Sequence, residues 1–342
     1  MIAGRDMRAA RLLSGLACLL MLPVSAAASG FEWLPLENYN PFTQVYGVPA
    51  TEPADVLAPH DESWRLALAI ANHADAGDVP TESVTLDGES YYLTVSYRRA
   101  VAARFEAGID IPFISHTGGF LDAPIETWHD IWGMSNSRRS GARNQLSFRY
   151  AGEDGSFYAL DSASRGLGDV RLTAAMRLGH AGKYRYALRG GIKLPTGESA
   201  DMLGSGGTDI SLALHASGIH SIGGRDLKLN AFAGVVALGD GDILPGIQRD
   251  AVFFGGLATG WQFSPRLTLA ASLRTQSSCY DSALDEVGGN SAQLAIGGIF
   301  HFANTESAVS LAVVEDLADN ATTDFAIQVA WVHATGAGGK PK

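Results

Sequence analysis

The chemistry-bearing side chains of this 342-residue sequence are scattered, so the first question is which of them can meet. A hydrolase needs a nucleophile, a base and an orienting group close in space. Candidate bases are His73 beside Asn72, His116, His129, His215 and His220, and serines are plentiful. No Gly-x-Ser-x-Gly elbow frames any of those serines. His215 shares an alternating face with Ser211 and Ser217. That spacing permits a contact, but a histidine on a polar face also serves as a hydrogen-bonded wall residue. Cys18 lies in an N-terminal apolar run and Cys279 is the other cysteine. Neither a zinc cluster nor an internal disulfide of a processed chain follows from these two. Asp240-Gly241-Asp242 offers two carboxylates without the spacing of a calcium loop. No catalytic residue, metal site or cofactor is assigned. The chain is expected not to be an enzyme, with an outer-membrane lipid hydrolase the weakest of the functions considered.

The cationic residues are better ordered, and their order comes from the segments that carry them. Period-2 alternation, the mark of strands with two different faces, runs through most of the sequence. In 184–194, Tyr184, Tyr186, Leu188, Ile192 and Leu194 share one face, and Arg185, Arg189 and Lys193 the other. In 170–178, Val170, Leu172, Ala174, Met176 and Leu178 oppose Arg171 and Arg177. In 266–276 the leucines 267, 269 and 273 oppose Arg266 and Arg274. Phe105, Ile109, Ile111 and Phe113 oppose Arg104, Glu106 and Asp110.

Such segments recur to the end of the chain, and with a short one at 157–160 they come to about fourteen, with twelve as the alternative. They are longer than the strands of roughly 5 to 6 residues usual in soluble sheets. Tight links at 181–183, 264–265 and 304–307 alternate with long ones near 114–142, 195–206, 239–250 and 280–289. Aromatics gather at segment ends: Tyr184, Tyr186, Trp261, Phe263, Phe300, Phe302 and Trp331. These features predict an all-β fold, a transmembrane antiparallel up-and-down barrel with an apolar outside and a polar lumen. The residues expected to line the lumen are Arg104, Arg171, Arg185, Arg189, Lys193 and Arg274.

The ends are read separately. Arg5, Arg8 and Arg11, the apolar run 12–24 and Ser25-Ala26-Ala27-Ala28 form a Sec signal-peptide pattern cleaved after residue 28. Lipidation at Cys18 fits the residues before it less well. Export of this kind leads to the outer membrane of a Gram-negative cell. Residues 29–62, with Pro35, Pro41, Pro49, Pro53 and Pro59, cannot form one regular element. They are either a plug inside the lumen or a periplasmic lead-in. The barrel is expected over 63–333, closing on a strand that ends at Trp331, with a disordered tail over 334–342. Helical spacing at 121–132, from Leu121, Ile125, Trp128, Ile131 and Trp132, predicts one helix in an extracellular loop, followed by Arg138, Arg139 and Arg143.

Asn40-Pro41 with Gly47-Val48-Pro49, then the 119–130 helix region, then Gly166-Leu167-Gly168-Asp169 resemble a domain-of-unknown-function family of bacterial outer-membrane β-barrel proteins. Lys193-Leu194-Pro195-Thr196-Gly197 with Gly204-Ser205-Gly206-Gly207-Thr208-Asp209 is similar to the phenol-degradation-pathway (MetA-type) outer-membrane channels. The resemblance implies location and fold; the first family carries no assigned activity. Each Gly-rich piece precedes a strand, so neither is a phosphate cradle, which needs a helix to follow.

A net charge of -11 argues against nucleic-acid binding. The function expected is a channel or transporter for small solutes, with a basic lumen that favours anions or is braced shut by ion pairs. The alternative is an envelope-stability protein without transport. Expected partners are outer-membrane lipid and lipopolysaccharide, the barrel-assembly machinery and an unidentified solute.

Overall fold

The computed structural model describes residues 33–124, 127, 144–303, 305–317 and 321–335. The expected leader, Cys18, His129, the three arginines 138, 139 and 143, and the tail beyond 335 lie outside these residues. So does most of the expected 121–132 helix, of which residues 122–124 and 127 are helical.

In chain order the strands are β1 (Glu62–Val79), β2 (Glu82–Ala102), β3 (Phe105–Thr117), β4 (Ser147–Gly152), β5 (Phe157–Leu160), β6 (Ser164–Leu167), β7 (Arg171–Ala181) and β8 (Tyr184–Lys193). They continue with β9 (Asp209–Ile222), β10 (Arg225–Ala237), β11 (Ala251–Ser264), β12 (Leu267–Gln276), β13 (Ser291–His301), β14 (Ser307–Asp316) and β15 (Phe325–Thr335). Two helical turns are used below, α1 (Pro41–Gln44) and α2 (Asp285–Gly288).

Twelve strands close the wall. Each pairs antiparallel with the next, β3 passes directly to β7, and β15 returns to β1 over the register Glu62↔Thr335 to Asn72↔Phe325. The count is therefore twelve rather than fourteen. β4 and β5 alternate as wall strands do, but β4 pairs with the tall part of β2 (Glu82↔Gly152 to Asp87↔Ser147) and β5 pairs with β4. β6 pairs with the upper end of β3. The last strand also runs four residues beyond Trp331, to Thr335, because the start of β1 offers it backbone partners there.

The outer face is apolar. Leu66, Leu68, Leu93, Val95, Leu172, Leu212, Leu214, Leu257, Leu269 and Leu311 all stand exposed on it. Along β11 it extends from Phe253 to Phe263, about 34 Å of strand at roughly 3.4 Å per residue. Tilted about 40°, that is roughly 26 Å of height, close to the apolar band of outer-membrane barrels at about 25 Å. Exposed aromatics ring the short-turn end: Trp64, Phe105, Tyr184, Trp261, Phe263, Phe302 and Trp331. There Arg225 lies over the rings of Trp261 and Phe263. Among the described residues no helix is long and apolar enough to cross a membrane; the strands supply the apolar surface.

Candidate functional site

The lumen is occupied by the chain's own N-terminal segment, residues 33–61. Its contacts reach strands from every side of the wall, which only a segment inside the barrel can do. It rises along β12, where Ser272 Oγ donates to the Leu34 carbonyl (3.1 Å) and Arg274 to those of Leu36 (3.3 Å) and Pro49. At the long-loop end Asn38 and Asn40 donate to the carbonyls of Ala321 (2.7 Å) and Thr322 (3.2 Å). The segment then turns. Asn40 caps α1, its side chain accepting from the Phe42 amide, and Pro41 takes the first helical position, where its missing N–H costs nothing. From Val45 to Leu57 it descends along β8, and Thr51 N donates back to the Leu36 carbonyl (3.1 Å), tying the two limbs together.

Cations of β8 hold the descending limb at every second inward position. Arg185 pairs with Asp55 (2.6 Å). Arg189 pairs with Glu52 (2.9 Å) and wall Glu106 (3.1 Å), and donates to the Pro53 (2.8 Å) and Asp55 (2.7 Å) carbonyls. Lys193 Nζ donates to the Val45 carbonyl (3.1 Å). Three strands away, Arg98 of β2 takes Glu52 (3.0 Å) and Asp110 (2.9 Å), so Glu52 is clamped between two strands. Arg171 takes Glu37 (2.9 Å), and Arg177 donates to the Val56 carbonyl (2.5 Å).

Of the six residues expected to line the lumen, Arg171, Arg185, Arg189, Lys193 and Arg274 thus all touch the segment. Arg104 stands exposed in the two-residue turn between β2 and β3, away from it.

The Gly-rich motifs converge on one buried cluster. Lys193 Nζ lies 2.7 Å from Asp169 and 3.2 Å from Asp209, and also donates to Ser205 Oγ. Asp169 accepts from the amides of Gly197 (2.8 Å) and Ser205 (3.1 Å). Asp209 accepts from Gly47 (2.7 Å) and Gly239 (3.0 Å). The three motifs therefore supply one cation and its two carboxylates. Gly47 of the plug must be small here, since a Cβ would sit 2.9 Å from Lys193 Cβ and 3.1 Å from Asp209 Cβ. The signal was present in the sequence as a Lys or an Asp at the strand-side end of each motif.

Above this level the lumen is closed by apolar packing. Phe42, Val45, Tyr46 and Val48 of the plug tip meet Phe148, Tyr150, Phe254, Tyr280 and Leu284. Two cavities lie beside the segment. One cavity of about 40 Å³ lies between Glu37, Pro49, Arg65 and Arg171, and one of about 100 Å³ between Trp33, Thr51, Asp55 and Arg98 near the short-turn end. Each holds only a few waters.

The residues considered for catalysis have other occupations. His215 Nδ1 lies 2.8 Å from the Glu52 carbonyl, and its ring stacks on Phe232. Ser217 donates to Asn230 (3.0 Å) and accepts from the Ala54 amide (2.7 Å). Ser90 Oγ is within hydrogen-bond distance of both His73 (3.1 Å) and His116 (2.8 Å), a contact the sequence did not suggest. Ser90 is fully buried and lines neither lumen cavity, so the trio ties β1, β2 and β3 together. His220 meets the Tyr184 hydroxyl at 3.1 Å at the short-turn end. Asp242 accepts from Ser199 (2.8 Å). Cys279 lies buried in the long link after β12, where desolvation, with Asp209 adding to it, pushes its thiol well above the usual range.

Among solved structures the chain is similar to the COG4313 outer membrane channel from Pseudomonas putida F1, with a TM-score of 0.53 and 13% identity, covering 83% of this chain and 100% of that one. At that identity the likeness is one of fold. The toluene transporter TbuX from Ralstonia pickettii aligns more loosely, with a TM-score of 0.37 and 10% identity over 92% of this chain and 97% of that one. No curated protein matches the sequence. Residues 10–334 match the family described as Protein of unknown function (DUF3187), and the chain belongs to that family.

Proposed function

We propose that this protein is an outer-membrane channel for small solutes, closed at rest by residues 33–57 of its own chain. The observation that carries the reading is how the plug is held. Its grip on the wall is made by side chains: ion pairs around Glu37, Glu52 and Asp55, hydrogen bonds, and apolar packing of Leu34, Leu36, Phe42, Tyr46 and Val56. Among the described residues no strand pairing joins it to the wall. A segment attached in that way can leave without breaking the barrel, whose closure rests on twelve paired strands. The short turns then face the periplasm and the long links the outside, as in bacterial outer-membrane barrels. The fold shared with an outer membrane channel agrees with this assignment.

The test is conductance in planar bilayers. Wild-type protein should show brief, discrete openings. Glu37→Gln, Glu52→Gln and Asp55→Asn together should raise the open fraction at least about tenfold, which requires only about 1.4 kcal/mol on a two-state equilibrium. Silence from both proteins would remove the channel reading and favour a permanently braced envelope protein.

A further inference from the structure

The plug does more than fill space. Three of the carboxylates that neutralise the lumen wall belong to it, and the wall residues they satisfy stay behind when it leaves. From the level of Lys193 downward, the inner face of β1, β2, β3, β7 and β8 presents Arg65, Arg98, Arg171, Arg177, Arg185 and Arg189, against Glu106 and Asp110. With the plug in place, Glu37, Glu52 and Asp55 make up most of the difference. With the plug out, these six guanidiniums keep two carboxylates on that side of the lumen.

We infer that the open lumen selects small organic anions bearing a carboxylate, and that the plug's carboxylates occupy the places through which such a solute passes. This inference rests on the channel reading above and names its substrate class.

Three features point to a carboxylate rather than to a merely positive pore. The groups stripped of their partners are arginines, whose planar forks match carboxylate oxygens. Glu52 shows the geometry a passing carboxylate would meet: Arg98 on β2 at 3.0 Å and Arg189 on β8 at 2.9 Å, two guanidiniums from strands a quarter of the wall apart. The cations are also spaced as a path. Arg185, Arg189 and Lys193 recur every four residues along the inner face of β8, roughly 13 Å apart at about 3.3 Å per residue. Asp55 at Arg185 and Glu52 at Arg189 occupy the lower two steps. At the third, Lys193 keeps its own Asp169 and Asp209, so the row of cations that rely on the plug's carboxylates ends there, on the long-loop side. Conduction needs sites that bind enough to admit an ion and weakly enough to release it, and a row of separate guanidinium sites meets that need.

The experiment is the reversal potential of single openings under a potassium chloride gradient, using full-length wild type and the Glu37→Gln, Glu52→Gln, Asp55→Asn variant. Sodium succinate is then added to one side. The expected result is a chloride-to-potassium permeability ratio on the order of five or more, with millimolar succinate reducing the chloride current at least twofold. Arg189→Gln should bring the ratio close to one. If the triple variant fails to fold, Glu52→Gln alone is used, since Asp110 and Glu106 still pair with Arg98 and Arg189. Openings with a ratio at or below one, or openings that ignore succinate, would overturn the inference and leave the channel standing. Absence of openings in every protein would overturn both.

Discussion

At the scale of single residues, the lumen is governed by where carboxylates stand relative to cations. Glu52 serves two arginines at once, and both retain one wall acid without it. Glu52→Gln should therefore lower stability by about 2–3 kcal/mol, below the roughly 3–5 kcal/mol expected when a buried charge loses every partner. Denaturant melts of the detergent-solubilised protein would show it. Lys193→Met removes the cation that Asp169 and Asp209 share, so it should cost the full amount, about 3–5 kcal/mol. Adding Asp209→Asn to Lys193→Met should return part of that loss. Gly47→Ala forces a methyl against Lys193 and Asp209 and should loosen the plug by about 1–3 kcal/mol, seen as faster protease cleavage within 33–57.

Much of this was legible in advance. Alternation alone places Arg171, Arg185, Arg189, Lys193 and Arg274 on the inner face. It could not separate Arg104 from them, because the residue before a strand keeps the parity of that strand while sitting in a turn. Nor could it say which acids meet these cations, since Glu37, Glu52 and Asp55 come from a proline-rich stretch without periodicity.

At the scale of elements, what a strand buries decides whether its pattern is visible. The lower half of β1 reads cleanly because Leu66 and Leu68 face outward while Ala67 and Ala69 face in. Its upper half, from Asn72 to Asp75, is buried and polar on both faces, so the alternation stops although the strand continues to Val79. β4 and β5 carry the opposite error. They alternate because one face packs into the cap under Phe148 and Tyr150, not because they span the wall. That cap, formed by α1, β4, β5 and the link carrying α2, should protect Cys279. With its thiol buried and its ionisation pushed up, iodoacetamide at neutral pH should leave Cys279 unlabelled in folded protein and modify it only after denaturation. Rapid labelling of native protein would mean that the cap opens on its own.

At the scale of the whole molecule, two kinds of bonding divide the work. Backbone pairing closes twelve strands into a wall with no free edge, and side-chain contacts hold residues 33–57 within it. The barrel was legible from strand length, turn asymmetry and aromatic ends. The plug was left open between lumen and periplasm, because the sequence shows only that residues 29–62 cannot be regular. The central claim is that residues 33–57 must move for solute to pass. Ala54 and Ala187 belong to one buried cluster of plug and wall, which makes them a site for a covalent lock. With Ala54→Cys and Ala187→Cys in a Cys279→Ser background, single-channel current is measured oxidised and then after dithiothreitol. The account predicts silence while the disulfide stands and wild-type openings once it is reduced. Equal current in the locked and reduced states would contradict it.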